Sequence, residues 1–172
     1  ERDSDDYVKY LSQVFYDDAD FKTAAATWGE EELQHGEALG RWAALADPSF
    51  DFSACFARYT KEHQVPVGSV NSVRGSRSAE LIARCMVEVG TSSFYSTVRD
   101  ATDEPVLKAI CTQIAKDEIR HYKLFFRHGQ HYLKGERTPL ITRLKVAVSR
   151  FAEVNDDELA FAYYCGVGET IA

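Results

Sequence analysis

A helix that carries a carboxylate and an imidazole on its apolar seam must give both a partner, and this chain carries such a helix twice. Around the stretch ATWGEEELQHGEALGRW, residues 26–42, the inward positions run Phe21, Ala25, Trp28, Glu32, His35, Leu39 and Trp42, in steps of four and three. A second segment repeats the pattern with Leu107, Cys111, Ile114, Glu118, His121, Phe125 and His128. Each contains Glu-x-x-His in mid-helix. Phe21 and Leu107 lie eleven residues before their Glu, after the acidic turns DDAD and TDEP, so a helix-turn-helix unit is expected to recur.

At positions i and i+3 the Glu and His project from one face and can reach one ion together. One such pair is common on helix surfaces. Two pairs, both flanked by Trp, Leu, Ile and Phe, are hard to sustain without cations, because an uncompensated buried carboxylate costs several kcal/mol. A two-metal site also needs carboxylates from two further helices. Glu88 shares a seam with Leu81, Cys85, Ser92 and Tyr95, thirty residues before Glu118. By the repeat, its counterpart falls near Glu1, thirty-one residues before Glu32, with Asp3, Asp5 and Asp6 as substitutes. The chain begins with Glu, not Met, and the front half of the first helix is expected to lie upstream of it.

The rest of the chain fits an all-α reading, since no segment alternates with period two. A first helix is expected over about Asp5–Tyr16, a second over Phe21–Ala46 stopped before Pro48, a third from about Ser78 to Ala101, and a fourth to about Leu133. The fourth follows TDEP, with Thr102 or Asp103 as its N-cap and Pro105 in its first turn. Between the second and third lies a long crossover, residues 50–76, with a short helix in FSACFARYTKEH. Two short helices, from about Leu140 to Phe151 and after Asn155, read as packing additions.

With 172 residues, one domain spanning 1–172 accommodates all of this, and no apolar run approaches the roughly 18 residues of a membrane span. Neither a spanning helix nor a signal peptide is expected. A net charge of −7 speaks against nucleic acid as a partner. The basic stretch from Lys116 to Arg150 reads as a solvated face, or as a landing place for something acidic. Cys55, Cys85, Cys111 and Cys165 form no C-x-x-C pair; they read as reduced core residues of a cytoplasmic protein and leave no rubredoxin-type or zinc-ribbon module in this sequence.

One Glu from each of two helices and Glu-x-x-His from each of two others is the arrangement of ferritin-like di-iron carboxylate proteins, four-helix bundles with one long crossover. Carboxylate oxygens with two imidazoles suit two iron ions, with manganese as the alternative, and no thiolate is placed to favour zinc or copper. More closely, TWGEEELQHGEAL and LKAICTQIAKDEIRHYKLF resemble the two iron-binding helices of the acyl-carrier-protein desaturases, a resemblance covering about residues 24–126. It implies that Glu32 and Glu118 bridge the irons, that His35 and His121 each bind one, that Glu88 is a terminal ligand, and that Thr91 matches a threonine associated with handling protons at bound oxygen. A Thr91 hydroxyl bonded back to its own helix is the plainer reading.

The function these features imply is an O2-activating di-iron oxidoreductase acting on a small organic substrate, acyl-type by the resemblance, with a homodimer compatible. Electrons would come from an external donor such as a ferredoxin, since the chain has no second metal motif and no dinucleotide fingerprint. The alternative is iron handling or peroxide removal in the manner of ferritins and rubrerythrins. The two differ in one structural demand: an oxidoreductase needs an apolar cavity beside the metals, typically about 300 Å³ or more.

Overall fold

Where the sequence places a breaker, a helix ends. A computed structural model describes residues 3–62, 65–153 and 159–167, and among these there are helices and connections but no strand. The helices are α1 (Ser4–Val14), α2 (Ala19–Ala46), α3 (Phe52–Glu62), α4 (Arg77–Ala101), α5 (Pro105–Glu136), α6 (Leu140–Glu153) and α7 (Leu159–Val167). The first helix ends two residues sooner than its apolar spacing implies. The Phe15 N–H still bonds to the Leu11 carbonyl, but Asp18 then caps the next helix by accepting from the Phe21 N–H at 2.9 Å.

Ser76 caps α4 through the Ala79 N–H. For α5 the cap is neither Thr102 nor Asp103. Glu104 precedes Pro105, whose ring confines the residue before it to extended backbone, the N-cap conformation, and its carboxylate accepts from the N–H groups of Val106 and Leu107. Thr102 is pushed back one step, where its hydroxyl accepts from the Glu104 N–H.

Two hairpins, α1 with α2 and α4 with α5, form a bundle in which α2 also faces α5. Residues 47–76 cross between the hairpins and carry α3, which packs on α7 and touches α2; α6 lies along α4. Tyr10, Leu11, Val14 and Phe15 of the first hairpin meet Phe21, Trp28, Leu81 and Phe125 in the largest apolar cluster. Tyr95, Cys111, Ile114 and Ala115 form a second. These two clusters lie on the seams that carry the Glu and His residues.

Close approach of α1 to α2 depends on Gly29, where a Cβ would stand 2.3 Å from a Val8 methyl. Beside this contact the Ser4 hydroxyl donates to the Gly29 carbonyl at 3.0 Å. The end of the crossover is fastened by the buried Tyr10 phenol, which donates to Glu80 at 2.7 Å and accepts from the Val73 N–H at 3.0 Å. Arg77, at the start of α4, pairs with Asp17 and donates to the Val14 carbonyl, tying α4 to the turn between α1 and α2.

Candidate metal centre

Helical spacing brings the two Glu-x-x-His pairs face to face across the bundle. Glu32, Glu88, Glu118 and His121 each offer a ligand-type atom, and those four atoms lie within 4.8 Å of one another, all buried. His35 joins at the margin. Its Nδ1 lies 3.4 Å from Glu118 Oε1 and 3.9 Å from Glu32 Oε2. His121 Nδ1 lies 2.9 Å from Glu32 Oε1, 3.5 Å from Glu88 Oε2 and 3.9 Å from Glu118 Oε1. Both imidazoles thus approach both Glu32 and Glu118, while Glu88 approaches His121.

Three of the inward atoms, Glu88 Oε2, Glu118 Oε1 and His121 Nδ1, lack a hydrogen bond of acceptable geometry although they are shut off from solvent. Buried polar atoms left in this way call for a bound group. Burial, together with the Glu118 carboxylate beside it, pushes the Glu88 carboxyl up to about 8 against the pull of His121. Burial works against a charged His121, yet the Glu32 and Glu88 carboxylates beside its Nδ1 raise it to about 11. A cation at this position would favour the charged carboxylates and the neutral imidazole, so protons and metal compete for the same atoms. Oxygen and imidazole donors, clustered and buried with excess negative charge, fit a divalent metal ion, and binding one would displace those protons.

Behind the centre is a second layer that sequence reasoning missed. The acidic residue just before each ligand Glu reaches across to the other helix's histidine: Asp117 Oδ2 lies 3.2 Å from His35 Nε2, and Glu31 Oε2 lies 2.7 Å from His121 Nε2. With Nε2 directed at a carboxylate, each ring turns Nδ1 inward. Arg120 spans the two acids, 2.5 Å from Asp117 and 2.8 Å from Glu31. For both Glu31 and Asp117, burial alone would raise the carboxyl, but the histidine and Arg120 hold it below its usual range. The signal was present as an acid-Glu-x-x-His motif in each repeat. Arg120 thereby leaves the basic face that its neighbours suggest.

The Thr91 hydroxyl bonds back to its own helix, as the plainer reading expects, and also reaches Glu118. Its Oγ1 lies 2.5 Å from Glu118 Oε2 and 3.1 Å from the carbonyls of Val87 and Glu88. One proton serves one acceptor at a time, so the hydroxyl can move between helix backbone and centre. The fourth carboxylate is a different matter. Glu1 lies outside the described residues, Asp5 is exposed and Asp6 pairs with Lys9.

A cavity of about 450 Å³ opens beside the centre, with Glu32, Glu88, Thr91 and Glu118 in its wall. Most of the remaining wall is apolar or aromatic, including Trp28, Leu39, Phe52, Phe56, Val87 and Phe94. Two of these come from α3, and α6 and α7 contribute Arg150 and Ala162. The crossover and the C-terminal helices, which read in sequence as a connector and as packing, also enclose this space. No family model matches the chain, and neither does any curated protein or solved structure. What it does must be read from these residues.

Proposed function

We propose that the chain is a non-haem di-iron oxidoreductase that uses O2 on a small apolar substrate. The observation that carries this reading is the cavity: its mostly apolar wall meets the carboxylate and imidazole cluster directly, as oxidation of a C–H bond requires. An iron store has no use for such a space.

Glu32, Glu88, Glu118, His35 and His121 would hold the metals. A ferrous pair held there would supply the electron-transfer chemistry by which O2 is activated. Full reduction of O2 to water takes four electrons; the substrate yields two, so the other two come from an external donor such as a ferredoxin. The protein's own part is to fix ligand direction through Asp117, Glu31 and Arg120, to exclude bulk water with Trp28, Phe52 and Phe56, and to offer the Thr91 proton at Glu118.

The test is anaerobic loading with Fe(II), metal analysis, and an optical spectrum after O2 is admitted, with O2 uptake followed with and without a fatty-acyl compound. The expected result is two irons per chain and uptake that quickens with the acyl compound. Assembly into a shell that accumulates hundreds of irons would establish the storage alternative instead.

A further inference from the structure

The cavity is not apolar throughout. Arg84 of α4 and Arg150 of α6 both line it, and they are only 5% and 4% exposed. Arginines are rarely buried this deeply without a carboxylate or phosphate to receive them. The two acids that flank Arg84 one turn away on its own helix act on its charge through space, but neither forms an ion pair with it, and each makes its contacts elsewhere. Glu80 accepts from Tyr10 and Ser72, both at 2.7 Å, and Glu88 faces His121 in the centre. The Arg84 guanidinium instead lies over the Tyr7 ring, 4.2 Å from its centroid, and its Nε has no hydrogen-bond partner.

Charge points the same way. Among the described residues, the acidic groups in the cavity wall are Asp3, Glu32, Glu88 and Glu118. Once divalent ions are held by the three glutamates, none of them is left to balance the Arg84 guanidinium. A pocket with that balance favours an anion, and a guanidinium fork matches a carboxylate in both shape and charge.

We propose that Arg84 receives the carboxylate of an organic acid whose apolar chain fills the rest of the cavity, so that the substrate is a free acid and not a neutral ester or thioester. This rests on reading the centre as a metal site beside a substrate cavity. The helix sets the scale. Arg84 precedes Glu88 by four residues, about 6 Å of axial rise, and Tyr95 follows it by seven, about 10 Å. The carboxylate therefore sits about one helical turn from the metals. A carbon a few bonds along the chain faces the centre, and the remainder runs on toward Phe94 and Tyr95.

The experiment compares octanoate with methyl octanoate by titration calorimetry on the full chain loaded with zinc, which permits binding but no turnover. Octanoate is expected to bind at least tenfold more tightly. Arg84→Gln should erase that preference at unchanged metal content and helicity, and Arg84→Lys, which keeps the charge but loses the fork, should reduce it severalfold. Equal binding of acid and ester by the wild-type chain would overturn the proposal. So would a preference that survives in Arg84→Gln, since the acid would then be held by the metals or elsewhere. Should Arg84→Gln fail to fold, an undiminished preference in Arg84→Lys has the same force. Loss of acid selectivity in a chain that still consumes O2 with iron sinks only this inference, whereas intact acid selectivity in a chain inert to O2 sinks only the proposed function.

Discussion

The crossed pairing of Asp117 with His35 and Glu31 with His121 makes a quantitative prediction about the two proposed metal sites, which would differ in their support. In Asp117→Ala, His35 Nε2 loses an acceptor at 3.2 Å, and in Glu31→Ala, His121 Nε2 loses one at 2.7 Å. Removing such an orienting partner typically costs about 10- to 100-fold in metal affinity, or about 1.4–2.7 kcal/mol. Distance alone would make Glu31 the stronger partner. Burial reverses the order: the Asp117 side chain is 10% exposed and that of Glu31 30%, so water can replace the Glu31 carboxylate more readily. Asp117→Ala should therefore fall near the upper end of the range, acting on the metal bound by His35, and Glu31→Ala near the lower end, acting on the metal bound by His121. Arg120 contacts both acids, so the double variant should depart from additivity. Competition titrations against a chromophoric chelator, resolved into two steps, measure both affinities, with circular dichroism to confirm that each variant is folded. Affinities within twofold of wild type, or equal weakening of both sites by Asp117→Ala, would refute the orienting role.

Glu118→Ala should remove both metals, because both imidazoles converge on this carboxylate, whereas His35→Ala should weaken one site more than the other; metal analysis after desalting distinguishes the two patterns. Asp18→Ala should destabilise the fold at pH 7 by about 1 kcal/mol for the lost cap and by about as much again for the Tyr132 hydrogen bond, as read from thermal melts. Burial would raise the Asp18 carboxyl, but its hydrogen bonds to Phe21 and Tyr132 hold it low, so its stabilisation is complete above the unfolded value of about 3.9 and fades as pH falls through the folded value. The gap between wild type and variant should accordingly shrink below about pH 4. Gly29→Ala should cost about 1–3 kcal/mol through the Val8 methyl, partly offset by alanine's better helix propensity, and adding Val8→Ala should recover much of the loss in chemical denaturation.

The bundle was legible because its helices are set by local signals that read the same in isolation as in the fold. Pro48 and Pro105 punctuate, Asp18 and Ser76 cap, and the step of four and three defines which face turns inward. Five of the proposed ligands stand on those seams, so periodicity alone located them. Where local signals compete, the reading slipped: three acceptors precede Val106, and only the restriction that Pro105 imposes on Glu104 decides among them. The crossed acids were half legible, since Glu31 and Asp117 each stand immediately before a ligand, but which histidine each would reach depends on how α2 lies against α5. Side-chain spacing along one helix carries no information about that.

The cavity was expected as a demand of the oxidoreductase reading, but most of its wall was not legible, for a related reason. Its wall draws on α1, α2, α3, α4, α5, α6 and α7, and no single segment shows a gap. A buried arginine in sequence is indistinguishable from a solvated one: Arg84 follows Glu80 by four residues and precedes Glu88 by four, the spacing of an exposed ion-pair ladder. What separates the two cases is where the partners have gone. Glu80 is drawn to Tyr10 and Ser72 across the crossover, and Glu88 is drawn to His121 across the bundle, so the cation between them is left facing the cavity. The same long-range contacts that assemble the carboxylate and imidazole cluster thus place a positive charge one turn from it, and it is this juxtaposition that the proposal of an organic acid held beside the cluster draws on.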